Sequence, residues 1–96
     1  MSYRFHPEAE AELTLSIDYY ESIEPGLGYD FAIEVYDTIH RIVDFPKAWT
    51  IVEDDVRRSL VKRFPYGVLY SEEADGIFIL AVMNLHRAPD YWKRRV

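Results

Sequence analysis

"YGVLYSEEADGIFILAVMNL", residues 66–85, decides the fold. Two apolar stretches flank a polar turn. "YGVLYSE" (66–72) and "GIFILAVMNL" (76–85) read as strands, and "EEADG" (72–76) joins them as a tight hairpin because Gly76 tolerates positive φ. The second strand is apolar almost without break, so it is expected to be central and covered. Just upstream, "VRRSLVKRF" (56–64) reads as a third strand, which makes a three-stranded antiparallel meander.

Before the meander the period changes. "SYRFH" (2–6) alternates Tyr3 and Phe5 with polar neighbours and reads as a short strand. Pro7 suits a first helical position, and Glu8, Glu10 and Glu12 sit at the positive end of the helix dipole. Ala9, Leu13, Ile17 and Tyr20 form an apolar stripe, so the helix should run to about Ser22 or Ile23. "EPGLG" (24–28) is a turn. A second helix follows with Phe31, Val35, Ile39, Ile42 and Val43 on one face, and Pro46 ends it. "KAWTIVEDD" (47–55) reads as a connector with Trp49 partly buried. The fold class is therefore α+β in the order β-α-α-β-β-β. A helical hairpin should pack on one face of a small antiparallel sheet, because its stripes need an apolar partner. On the other side of the chain, "NLHRAPDYWKRRV" (84–96) should fold Tyr91 and Trp92 back over the sheet, with a short helical or extended tail.

Ninety-six residues, 49% of them hydrophobic and 16% aromatic, suit one domain spanning 1–96 with a real core. There is no cysteine, hence no disulfide framework, zinc–thiolate site or thiol nucleophile. The opening residues carry no basic-then-apolar leader pattern and no run approaches a membrane span, so a soluble cytoplasmic protein is expected. The net charge of −6 argues against indiscriminate nucleic-acid binding, but it is unevenly spread. Residues 1–55 carry 3 Lys/Arg against 13 Asp/Glu, or −10; residues 56–96 carry 8 against 4, or +4. The basic half can approach an anionic surface, and the acidic half faces water or a basic partner.

The candidate functional residues lie in that basic half. On an extended strand Arg58, Leu60 and Lys62 share one face, and Arg57, Val61 and Arg63 share the other. Such cations either neutralise phosphates and carboxylates or protect a sheet edge from aggregation. Gly67 within a strand signals a bulge or a close backbone approach. His86 is able to exchange a proton near neutral pH, though a lone His at a strand end is commonly structural. His6, His40 and His86 have no ligand spacing, so no metal is expected. Helix-start electrostatics accounts for Glu8 and Glu12. "EPGLG" follows a helix rather than a strand and is not a phosphate loop, so no cofactor is expected.

"FPYGVLYSEEADGIFILAVMNLHRAPDYWKRR" (64–95) resembles the second half of RelE/ParE-family toxins of type II toxin–antitoxin pairs. An aromatic-Pro-Tyr opens a strand ending in Tyr, and after the hairpin an apolar strand runs into His-Arg-x-Pro-x-Tyr-Trp and a basic end. "FHPEAEAEL" and the helical hairpin resemble the family too, so the likeness spans the chain. It implies a growth-inhibiting, plasmid-stabilising type of protein that a cognate antitoxin neutralises in a hetero-oligomer. One branch of the family, ParE-like, inhibits DNA gyrase without cutting nucleic acid. The other, RelE-like, cleaves mRNA on the ribosome without a metal.

Metal-free RNA cleavage needs several convergent cations and an acid or base. For that branch the resemblance implies Arg58, Lys62, His86, Arg87 and Tyr91. Two positions depart from it. Gly67 stands where those nucleases resemble one another in carrying Arg, and Leu60 where they tend to be basic. A non-enzymatic, ParE-like gyrase inhibitor is therefore the expectation, with the ribosome-dependent nuclease as the alternative. The residues expected to face a target or an antitoxin are Arg57, Arg58, Lys62, Arg63, Arg87, Tyr91, Trp92, Arg94 and Arg95.

Overall fold

The computed structural model describes residues 2–96. Its elements run β1 (Tyr3–Phe5), α1 (Pro7–Ile23), α2 (Leu27–Asp44), β2 (Thr50–Glu53), β3 (Val56–Leu60), β4 (Tyr66–Glu73) and β5 (Gly76–Asn84), closing on a single 3-10 turn at Lys93–Arg95. One five-stranded sheet has the order β1-β5-β4-β3-β2. The α+β class and the helical hairpin on one sheet face are as the apolar periodicity demands.

Three details depart from the sequence reading. The connector 47–55 contains a strand, because Thr50–Glu53 pairs antiparallel with β3 across a turn in which Asp54 takes φ 48°. Short polar residues tolerate that left-handed conformation. The sheet is not wholly antiparallel: β1 runs parallel to β5, with Tyr3 opposite Ile77 and Phe5 opposite Ile79. The helical hairpin carries the chain across the sheet to β2, and the strands β2 to β4 bring it back to lay β5 parallel beside β1. Finally, β3 stops at Leu60. Lys62 and Arg63 lie in the following bend, where Arg63 takes φ 71°. The strand therefore ends four residues before the expected Phe64, and the alternation loses two of its cations.

Each sheet face carries its own core. On one side Ala9 and Leu13 of α1 and Phe31, Val35, Ile39 and Ile42 of α2 pack on Val68, Tyr70, Ile77, Ile79 and Val82. Phe31 lies 4.7 Å from the Tyr66 ring and 5.1 Å from the Phe64 ring, both edge-on. On the other side Val56, Leu69, Leu80, Ala81 and Met83 lie under Trp92, with Tyr91 and Phe78 alongside. A sheet covered on both faces explains why β4 and β5 read as continuous apolar runs.

Local chemistry fixes the element ends. His6 caps α1, its Nδ1 accepting from Glu8 N at 3.1 Å, ahead of Pro7. Between the helices Gly26 takes φ 90°, and the Glu21 carboxylate accepts from the amides of Gly26 and Gly28 at 3.1 Å. Helix α2 thus starts at Leu27, inside the stretch read as a turn.

Gly76 is needed twice over. It takes φ 133°, and a Cβ there would run into the main-chain carbonyl of Ser2, which accepts from Ile77 N at 2.9 Å. Gly76→Ala is expected to destabilise the fold by about 2 kcal/mol. Urea denaturation measures this, and an unchanged midpoint would contradict it.

Candidate functional site

The closing segment is held to the fold by one carboxylate. Glu12, on the second turn of α1, points past the end of β1 toward the edge of β5. Beyond His6, which bonds to Ile79, β5 has no strand partner on that side among the described residues, and Val82 N donates to Glu12 Oε1 at 3.1 Å. Three side chains of the last ten residues then converge on the same group. Tyr91 Oη donates at 2.6 Å, and Arg87 Nη1 approaches at 3.3 Å. Arg95 makes a two-pronged pair at 2.9 and 3.1 Å and also donates to Leu80 O at 2.9 Å. The Arg87 guanidinium lies 3.7 Å above the Tyr91 ring, so one aromatic is gripped by a cation and a carboxylate at once.

Burial makes this cluster strong. The Arg95 side chain is 4% exposed and that of Glu12 13%. Desolvation works against the Arg95 charge, but hydrogen bonding and attraction from Glu12 outweigh it and raise its pKa. Burial, then the bond to Glu12, pushes the Tyr91 hydroxyl well above the usual phenol range.

The expected site residues fall into separate groups. Arg87 and Tyr91 sit in the Glu12 cluster. Arg95 and Trp92 were expected on a rim facing a target or antitoxin and are instead buried. Arg95 is sealed by Glu12 and Glu8, and Trp92 forms the lid of the second core, its Nε1 donating to Pro89 O at 2.7 Å. Arg94 stays exposed beside Glu8, and Arg63 reaches Asp30 and Glu34 at 3.7 and 3.6 Å. Arg57 donates to the carbonyls of Lys47 and Trp49 at 3.1 and 2.8 Å, so it pins the segment before β2. His86 is exposed, and its main-chain N–H donates to Asn84 Oδ1. Arg58 and Lys62 line a cleft at the β3 edge together with Arg41. Arg87 lines a different groove, with Glu12, Tyr66 and Asn84. Of the five residues of a metal-free nuclease, four are thus divided between two places, and His86 lines neither. Sequence reading missed Glu12 as an anchor and Arg41 as a neighbour of Arg58.

A second buried phenol bears on stability. Tyr70 donates its hydroxyl to Pro46 O at 2.6 Å, and burial pushes its pKa up to about 12. A folded pKa above the ordinary value of 10.0 means stability that is present below pH 10 and lost as pH rises toward 12. Tyr91, raised for the same cause, adds to the loss. Thermal unfolding should therefore show a plateau from about pH 7 to 9 and a falling midpoint above it. Tyr70→Phe should flatten that fall; an equally steep fall would contradict the assignment.

No protein-family model matches the chain, and no curated protein does. Among solved structures it is similar to a chain of the chromosomal ParDE TA system from P. aeruginosa. The TM-score is 0.77, covering 90% of this chain and 97% of that one, at 20% identity. The fold is ParE/RelE-like. In this chain that fold is two helices packed on a five-stranded, mostly antiparallel sheet. Among the described residues no helix is long and apolar enough to cross a membrane.

Proposed function

We propose that the chain is the toxin of a type II toxin–antitoxin pair, held harmless by a cognate antitoxin, and that it acts by binding DNA gyrase rather than by catalysis. The ParE/RelE-like fold and the resemblance of residues 64–95 support the toxin reading. One observation carries the choice of mechanism. The groups a nuclease would need are committed elsewhere: Tyr91 and Arg87 are bound to Glu12, and position 67, next to Tyr66, is a glycine that supplies no cation of its own. A phosphorane is stabilised by cations that converge on it, and Arg58 and Lys62 lie in a cleft that Arg87 and Tyr91 do not line. The ribosome-dependent endoribonuclease is the second reading, favoured by the absence of any carboxylate partner on Arg58 and Lys62 among the described residues.

Antitoxin contact falls on the exposed apolar residues of the helical hairpin, Leu15, Tyr19, Ile33 and Tyr36, which the fold itself leaves uncovered. The test is biochemical. Purified protein should inhibit gyrase supercoiling and leave mRNA intact on translating ribosomes. Cleaved message with unaffected gyrase would overturn the proposal in favour of the nuclease.

A further inference from the structure

Of the eleven Lys and Arg side chains, four have no carboxylate partner among the described residues: Arg41, Arg57, Arg58 and Lys62. Arg57 is used on main-chain carbonyls. The other three line one cleft of about 350 Å³, whose remaining walls are Trp49, Thr50, Ser59 and Leu60. No acidic residue lines it among the described residues. In a chain of net charge −6, where seven of the eleven cations pair with acids, three without an acid partner in one place are not a solvated average surface.

Two further features give the cleft a shape. The rungs between β2 and β3 stop at Thr50–Arg58, so the edge of β3 is open from Ser59 onward. Val61 N donates to Tyr66 O on the β4 side, and strand alternation then turns the Leu60 N–H and C=O toward the open edge. The Leu60 side chain is 54% exposed beside Trp49. A Cβ at Gly67 would come within 3.1 Å of Arg58 Cγ and Cδ, so the missing side chain leaves room for the Arg58 stem, which borders both this cleft and the one beside Trp92 that holds Glu53 and Asp90. Arg41 donates one Nη to Thr38 Oγ1 at 3.0 Å and keeps its other donors.

We infer that this cleft is a docking site for an extended, acidic peptide segment of a partner protein. Its main chain pairs with the open edge at Leu60, an apolar side chain rests on Leu60 and Trp49, and its carboxylates meet Arg41, Arg58 and Lys62. A nucleic acid fits less well. It has no use for a β-edge, and it is held by a longer stripe of cations than three in a chain of this charge. The inference does not rest on gyrase as the target.

A short fluorescein-labelled peptide alternating Glu and Val, and its Gln-for-Glu counterpart, test this by fluorescence anisotropy. The acidic peptide should bind about tenfold more tightly than the Gln peptide, and binding should weaken as salt rises. The R41Q/R58Q/K62Q variant should bind it about tenfold more weakly than the unaltered chain. Arg4→Gln, which removes one positive charge at the opposite sheet edge, should change affinity less than about twofold. Should the triple variant fail to fold, Lys62→Glu decides, because Lys62 is exposed and lies outside the strand; about threefold weaker binding is expected. Amide shifts in NMR should centre on residues 59–62. Equal affinity for both peptides, undiminished binding by the variants, shifts centred elsewhere, or tighter binding of a thymidine oligonucleotide would each overturn the inference.

Discussion

Glu12→Ala is expected to remove about 3–5 kcal/mol of stability, among the largest effects any single change in this chain should have. The reason is the group left behind. Arg95 is almost fully buried and meets Glu12 through two guanidinium nitrogens, so deleting the carboxylate strands a buried cation. Tyr91 Oη and Val82 N lose their acceptor at the same time. Small domains have about 5–15 kcal/mol in total, so the variant should populate the unfolded state measurably at 37 °C. Equilibrium urea denaturation gives the value. The double variant Glu12→Leu with Arg95→Met should recover most of the loss, since replacing both members of a buried pair by apolar groups is often neutral. A loss under about 1 kcal/mol in Glu12→Ala would mean that the cluster is solvated and does not anchor the closing segment.

Trp92→Ala should cost about 3–5 kcal/mol for a different reason. Trp92 is 3% exposed and covers Leu69, Leu80 and Met83 on the sheet face away from the helices. Its loss opens an apolar face to water. The variant should bind a hydrophobic dye and lose solubility, while the helix-side core around Phe31 keeps its far-UV signal. With Glu12→Ala the two effects should be less than additive, because both release the same segment. Full additivity would show that residues 86–96 are held at two independent points.

Much of this architecture can be read from the residues. Gly76 between two apolar runs specifies the hairpin, Pro7 and the Ala9–Leu13 spacing specify the first helix, and a run apolar on both faces specifies a doubly covered strand. Tyr91 and Trp92 fold back because an antiparallel sheet with a bare apolar face needs a cover. What escaped reading has physical causes. Alternation in "SYRFH" says that a strand exists but not the direction of its partner, so the parallel pairing of β1 with β5 is invisible locally. Strand β2 is four residues in a polar connector, and its pairing comes from the turn at Asp54. Lys62 and Arg63 drop out of the strand because Arg63 takes a left-handed conformation that alternation does not encode.

The site was less legible than the fold. A glutamate in the first turns of a helix looks the same whether it answers the helix dipole or a cation seventy or more residues away, so Glu12 carried no distinguishing signal. Arg94 and Arg95 are neighbours in a basic run, yet one is exposed and the other sealed, because the 3-10 turn aims Arg95 at the open edge of β5. Arg41, on a helix far from Arg58 in sequence, joins it only once β2 leaves the β3 edge open.

The central claim is that this is a toxin that acts by binding rather than by cutting RNA. Inducing the chain in bacterial cells without an antitoxin tests it most directly, with cell length, the DNA-damage response and protein synthesis followed together. The account predicts filaments and a DNA-damage response while translation continues. Immediate translation arrest with cleaved messages and cells of normal length would contradict it.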